Sequence, residues 1–260
     1  MEIVFLLILS ILPIVLIGKY IYNNDKEKEP KGILIKLFLG GLGAIFLTVG
    51  ITILIGMFYP AIFEMELNVS YIELFFHVFF GVALVEELSK WLFLYSISFN
   101  NSNYDQTFDM VVYAVFVALG FAFFENLFYI FDGGLTTAIA RALLAIPGHA
   151  CDGVLMGFYL SLAKISSING DEASRKRNVY MSILIPTITH GIYDFCLFSG
   201  NGLLIIGFFM YIIYLYIYVF RKVRYLSKNN YKFKFKNTYC PICGEKVKNN
   251  YCLRCGNKNE

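Results

Sequence analysis

Val85-Glu86-Glu87-Leu88-Ser89-Lys90-Trp91 stands in the middle of an otherwise apolar run covering 70–98. Three charges at the centre of a stretch long enough to cross a bilayer decide how the chain is read. Left alone in hydrocarbon, each costs about 2.5–3.5 kcal/mol on insertion scales. Glu86 and Lys90 are four apart, and Glu87 and Lys90 three apart, so on a helix both carboxylates reach one ammonium. A helix that left the membrane early would put these groups at the interface, but Trp91 through Phe99 is again strongly apolar. The run is predicted to be a membrane helix whose charges pair or face a wet cavity.

Further apolar runs flank it at roughly 3–22, 33–59, 107–131, 135–163, 179–199 and 202–220. Each is close to or beyond the ~20 residues that cross a ~30 Å hydrocarbon core. Hydrophobic residues make up 58% of the 260 and charged residues 16%, with a mean hydropathy of +0.62. A soluble domain carries about 25% charged residues. The expected fold is an all-α polytopic membrane protein in the lipid bilayer, with about seven transmembrane helices and a small C-terminal zinc ribbon. The first run is expected to stay as a membrane helix, because it has Glu2, no Lys or Arg before it, and no small-residue cleavage site. The net charge of +3 is too modest to argue for nucleic acid, and none is expected as a partner.

Basic residues set the orientation. Lys26, Lys28 and Lys31 follow the first run, Arg175, Lys176 and Arg177 follow the fifth, and Arg221, Lys222 and Arg224 follow the seventh. The 60–68 loop carries Glu64 and Glu66 without Lys or Arg, and the turns at 132–134 and 199–202 have neither basic residue. With seven spans all the basic segments fall on one side, which places the N-terminus outside and the tail in the cytoplasm.

The tail divides from the membrane part by composition: 1–220 is read as the membrane domain, 221–238 as a basic linker and 239–260 as a zinc ribbon. Tyr231-Lys232-Phe233-Lys234-Phe235-Lys236 alternates aromatic and basic residues, which suits a solvated linker or a strand, or attraction to anionic headgroups. Cys240-Pro241-Ile242-Cys243-Gly244 and Cys252-Leu253-Arg254-Cys255-Gly256 are two knuckles separated by eight residues. Four thiolates at this spacing suit tetrahedral structural zinc, and each glycine allows the turn that aims backbone amides at the sulfurs. Disulfides are the rival reading, opposed by the cytoplasmic placement. A cytoplasmic protein is the partner such a ribbon would meet.

Beyond Glu86, Glu87 and Lys90, later runs carry further ionisable groups. Phe121, Glu125 and Tyr129 share one helical face, with Asn126 beside Glu125. Arg141 and Asp152 are about three turns apart, so they share a face too, and Pro147-Gly148-His149 lies between them. His190 and Asp194 are one turn apart, after Pro186. A proline bends a helix and frees the carbonyl four residues earlier, which at membrane depth requires protein or a water-filled cavity alongside. His149 and His190 are therefore expected to line a cavity. His77, about half a turn around from Glu86, is expected to pack or sit at the interface. Glu86, Glu87, Glu125, Asp152 and Asp194 set five negative charges against Lys90 and Arg141. Protonated carboxyls, charged histidines or a divalent cation would each settle the excess, and each suits acid/base or metal-assisted hydrolysis.

In order along the chain, Glu86-Glu87-x-x-Lys90, Phe121-x-x-x-Glu125-Asn126, Pro147-x-His149 and His190-x-x-x-Asp194 resemble the PrsW family. That family is grouped with CAAX prenyl proteases and bacteriocin-processing enzymes. The resemblance covers about 33–220, and the ribbon lies beyond the family core. It implies a peptidase acting on a membrane-embedded protein substrate, with the first cut in an anti-sigma factor as the best-known role. It further implies that Glu86 or Glu87 activates water, and that His149 and His190 orient it, bind a catalytic metal or stabilise the oxyanion. Glu125 and Asp194 would support them, and Asn126 would donate to the oxyanion. Metal-dependent and glutamate-type catalysis both stay open.

Other protease designs are absent: no HExxH, no GxGD partner for Tyr193-Asp194, and no GxSxG elbow. Cys151 and Cys196 are expected to pack. The rival readings are an ion- or proton-coupled transporter, which a repeated half-structure would favour, and a non-catalytic adaptor presenting the ribbon.

Overall fold

The computed structural model describes residues 2–59, 70–233, 240, 242–245, 252 and 254–256, with backbone alone at 2–5 and 130–132. The 60–68 loop, most of the alternating run after Phe233, and parts of the expected linker and ribbon lie outside the described residues. Helices α1 (Glu2–Asn24), α2 (Lys31–Phe58), α3 (Tyr71–Phe76), α4 (Leu84–Ser98), α5 (Asp109–Ala140), α6 (Ile146–Ile168), α7 (Glu172–Phe198) and α8 (Gly202–Lys228) account for most of the described chain. Two π-helical stretches, His77–Ala83 and Arg141–Ala145, join α3 to α4 and α5 to α6 without a break. In α5 the backbone turns at Gly134, whose φ of 63° lies in the left-handed region. The long helical runs therefore number seven among the described residues. Six are long and apolar enough to cross a membrane. The other, α3 to α4, matches them in reach but carries Glu73, Glu86, Glu87 and Lys90.

Two helices form the centre. Two-thirds (67%) of the spanning windows of α5 and of Gly133–Ile168 are buried, against 22% for α1, α2 and α8. The outer helices thus turn apolar sides to lipid, where hydrocarbon contact carries no penalty. With no hydrophobic drive between helices in lipid, small residues set the close approaches. A Cβ on Gly157 of α6 would lie 2.5 Å from the Met110 carbonyl of α5, and one on Gly120 of α5 would lie 2.0 Å from the Phe38 carbonyl of α2. α5 is thereby held on both sides, and it carries Glu125 and Asn126.

The prolines act as the sequence suggests, with partners for the freed backbone. Pro147 cannot donate to the Leu143 carbonyl, and the Tyr216 hydroxyl of α8 donates to Leu143 and Leu144 oxygens at 3.3 and 2.9 Å. In α7, the Thr187 hydroxyl donates to the Ile183 carbonyl and that of Thr189 to the carbonyls of Ile185 and Pro186.

The tail is built back onto the bundle. α8 runs on to Lys228, so helix continues into the first residues read as linker. Lys232 makes an antiparallel bridge with Gln106, and Phe233 stacks edge-on against Tyr104. Residues 231–233 thus lie against 105–107 through this single bridge, with the Thr107 amide donating to the Tyr231 carbonyl and the Phe233 amide to that of Asp105. The ammonium of Lys164, buried at the end of α6, donates to the carbonyls of Phe99 and Ile242, which seats the first knuckle on the bundle.

Candidate active site

The four runs predicted to carry chemistry, α4, α5, α6 and α7, bring ionisable residues to one place. Glu87 is fully buried, and its Oε1 accepts from Lys90 Nζ at 2.7 Å and lies 2.9 Å from His190 Nδ1. Glu86 Oε2 is 3.4 Å from Lys90 Nζ and 3.9 Å from His190 Nε2. Lys90 Nζ also reaches His149 Nδ1 at 3.1 Å and lies 4.0 Å over the Phe121 ring. The two imidazoles face edge to plane with centroids 5.3 Å apart.

The remaining partners complete the network. His149 Nε2 is 2.8 Å from Glu125 Oε2, and Arg141 Nη2 is 2.8 Å from that same oxygen. Arg141 Nε donates to Asn126 Oδ1 at 2.8 Å, and its guanidinium lies over Tyr129. His190 Nε2 is 3.4 Å from Asp194 Oδ2. Thr189 donates to Asp152 at 2.5 Å. Each of the five carboxylates in the excess counted from sequence thus has a basic, imidazole or hydroxyl partner. Burial of this kind demands it, since an unpaired charge in a low-dielectric site costs several kcal/mol.

A cavity of about 40 Å³ opens beside the network, lined by Glu125, Arg141, Gly148, His149, Asp152, His190, Tyr193 and Asp194, with Ala145. That is room for a few waters. Arg141 and Asp152 do share a face, although the intervening turn is π-helical. Asn126 is fully buried and does not line the cavity; its carbonyl holds Arg141 and its amide nitrogen has no hydrogen-bond partner. His77 opens the first π-helical stretch, half-buried and away from the converging donors. Tyr193 and Thr189 were not singled out as site residues. Both adjoin quoted motif residues in sequence, which was the available signal.

One ligand atom from each of Glu86, Glu87, His149 and His190 lies within 4.8 Å of the others. Glu87 Oε2 is a buried carboxylate oxygen without a hydrogen-bond partner. Two imidazoles, two carboxylates and an oxygen left over make a donor set that fits a divalent ion.

In the tail, Sγ of Cys240 is 3.4 Å from that of Cys255, and Cys243 is 3.4 Å from Cys252; none of the six cysteines is in a disulfide. All four knuckle sulfurs lie within 4.8 Å of one another, so the cluster can hold a metal ion. Gly244 and Gly256 have φ of 71° and 76°, and their amides donate to the Cys240 and Cys252 carbonyls. Burial works to raise the Cys252 thiol, but the amides of Cys255 and Arg254 lower it to about 7.

Fold and site together define a multi-pass membrane protein with a buried carboxylate–histidine centre of the kind that hydrolysis needs. Residues 29–221 match the model of a family described as PrsW family intramembrane metalloprotease. A Protease PrsW of Oceanobacillus iheyensis is 34% identical over 211 residues, covering 80% of this chain and 91% of that protein. A Protease PrsW of Clostridioides difficile is 35% identical over 218 residues, 81% and 87% of the two chains, and one of Bacillus subtilis is 33% identical over 189, 72% and 80%. No solved structure matches. The chain belongs to the PrsW family of intramembrane proteases. It hydrolyses peptide bonds of membrane-associated proteins, and its family implies a metal.

Proposed function

We propose that Glu86 is the general base of this protease and that Glu87 is the residue that holds its surroundings in place. One observation carries the distinction. Glu87 Oε1 is bound closely by both Lys90 and His190, whereas the nearest approaches of these groups to Glu86 Oε2 are 3.4 and 3.9 Å. Glu86 is the less committed carboxylate, and a base must be able to take a proton from water.

In this reading Glu86 accepts the proton of the attacking water and later passes it to the leaving amine. His190, whose Nε2 is held only loosely at 3.4 Å from Asp194, donates from that nitrogen to the developing oxyanion, while His149, whose ring proton goes to Glu125, steadies the Lys90 ammonium. Glu125 and Asp194 orient those rings, as Arg141 orients Glu125. Asn126 is better suited to positioning Arg141 than to the oxyanion, because its carbonyl is taken up by Arg141 and its side chain is fully buried. Glu86, Glu87, His149 and His190 are the residues that would hold the implied metal. When bound, such an ion supplies Lewis acidity at the scissile carbonyl and acidifies water.

The family likeness supports a single-pass anti-sigma factor as substrate. The tail-bearing end of the bundle gathers the basic segments after α1 and α8, which supports a cytoplasmic tail and an external N-terminus. Within the tail, the thiolate spacing supports structural zinc in a module that ends the membrane domain and its basic linker. The test is cleavage of a single-pass substrate in cells. Glu86→Gln and His190→Ala are expected to insert normally and to cut nothing; cleavage by both would overturn the assignment.

A further inference from the structure

A second cluster of carboxylates lies at the end of the bundle that carries the tail, apart from the protease site. Asp25 and Glu29 come from the loop joining α1 to α2, and Asp109 begins α5. Their exposures are 2%, 5% and 0%. One oxygen of each lies within 4.8 Å of the others.

The protein supplies these groups with too few donors. Asp109 Oδ2 accepts from the amides of Asp105 and Gln106 at 3.1 and 2.7 Å, which leaves its Oδ1 buried with no hydrogen-bond partner. Glu29 Oε2 takes the Tyr113 hydroxyl. Both carboxylate oxygens of Asp25 are buried without a hydrogen bond of ordinary geometry, and only the backbone amides of Glu27 and Glu29 approach them. Lys28 is near enough to ease the charge on Asp25, but its ammonium donates to the backbone carbonyls of Tyr22 and Asp25 at 2.5 Å. Among the described residues no basic side chain forms an ion pair with any of the three.

Three buried oxygens short of donors, on two segments far apart in sequence, are what a bound cation would satisfy. The donor set is all oxygen, which hard cations prefer and soft ones do not. Oxygens up to 4.8 Å apart can be bridged by metal–oxygen bonds of about 2.3–2.6 Å, the calcium range, while magnesium at about 2.0–2.1 Å would use fewer carboxylates and keep waters. We propose that Asp25, Glu29 and Asp109 bind a hard divalent cation, Mg²⁺ or Ca²⁺, that pins the α1–α2 loop to the head of α5. α2 begins two residues after Glu29 and packs along α5, so the ion fixes α2 against the helix that carries Glu125.

The competing outcome is protonation, and burial already pushes Glu29 up to about 7. Full-length protein purified in detergent and stripped with chelator separates the two. Adding Mg²⁺ or Ca²⁺ to about 100 times its dissociation constant is expected to raise the thermal midpoint by about 5 °C. The ion acting at lower concentration identifies the ligand. Asp25→Asn should abolish the rise. Its stripped form should be no less stable than stripped wild type, because Asn keeps an oxygen for the Glu27 and Glu29 amides and removes a buried charge. Glu86→Gln and Cys240→Ser/Cys243→Ser should keep the rise, since neither touches this cluster. If Asp25→Asn does not accumulate, Glu29→Gln serves in its place. No rise with either ion, or an undiminished rise in the carboxylate variant, overturns the proposal.

Discussion

Lys90 Nζ stands 3.1 Å from His149 Nδ1, an ammonium of α4 against an imidazole of α6. An ammonium has three donors and no acceptor. Its other two contacts are Glu87 Oε1 and Glu86 Oε2, so all three hydrogens are engaged. His149 Nδ1 must accept, which places the ring proton on Nε2, where it is donated to Glu125. One lysine thereby fixes both the carboxylate pair and the tautomer of a cavity-lining histidine.

Removing that charge should be costly. Lys90→Met leaves Glu86 and Glu87 side by side without a counter-charge, and breaking a buried pair costs about 3–5 kcal/mol. We expect a clear fall in thermal midpoint and loss of cleavage. Lys90→Arg should restore neither fully, because a guanidinium holds its donors in one plane and is larger than the ammonium it replaces. Thermal unfolding in detergent, read beside substrate cleavage, checks both points.

Arg141 acts on the site through Glu125. Its grip on Glu125 and Asn126 uses two nitrogens, Nη2 and Nε, spaced across a planar guanidinium, a spacing that one ammonium nitrogen does not reproduce. Arg141→Lys is expected to lower kcat by at least about tenfold, or 1.4 kcal/mol of barrier, with little change in KM. An effect confined to KM would indicate that Arg141 contacts substrate instead.

The α2–α5 seam should tolerate no side chain at its closest point. A Cβ on Gly120 meets the Phe38 backbone, which cannot move aside as a flexible side chain can. Gly120→Val is expected to exceed the 1–3 kcal/mol usual for overpacking and to prevent accumulation of folded protein, measured by its recovery from membranes.

In the tail, Cys240→Ser/Cys243→Ser is expected to lose one equivalent of zinc on elemental analysis. Lys164→Met removes the donor to the Ile242 carbonyl and should expose the knuckles to added protease. An unchanged digestion pattern would mean that the ribbon is held by other contacts.

The membrane spans and the ion-pair spacing of Glu86, Glu87 and Lys90 were legible because both follow from local helix periodicity. The convergence of His149, His190 and Glu125 could be anticipated only from motif order, since residues up to 103 apart had to meet. The π-helical stretches left no local signature; they arise from packing against neighbouring helices. Asn126 illustrates the limit: its neighbour Glu125 faces the cavity, so Asn126 points elsewhere, to Arg141. Nothing local marks Asp25, Glu29 and Asp109 as buried, since they lie at or beyond the ends of apolar runs and meet only when α1, α2 and α5 pack.

The central claim is that Glu86, and not Glu87, takes the proton from water. Single-turnover cleavage of a single-pass substrate in proteoliposomes tests it most directly, with each variant's thermal midpoint measured alongside. Glu86→Gln should keep its midpoint and lose about 10²–10⁴-fold in rate. Glu87→Gln should lower the midpoint, because it weakens the grip on both Lys90 and His190. A Glu86→Gln enzyme that cuts at the wild-type rate would contradict the account.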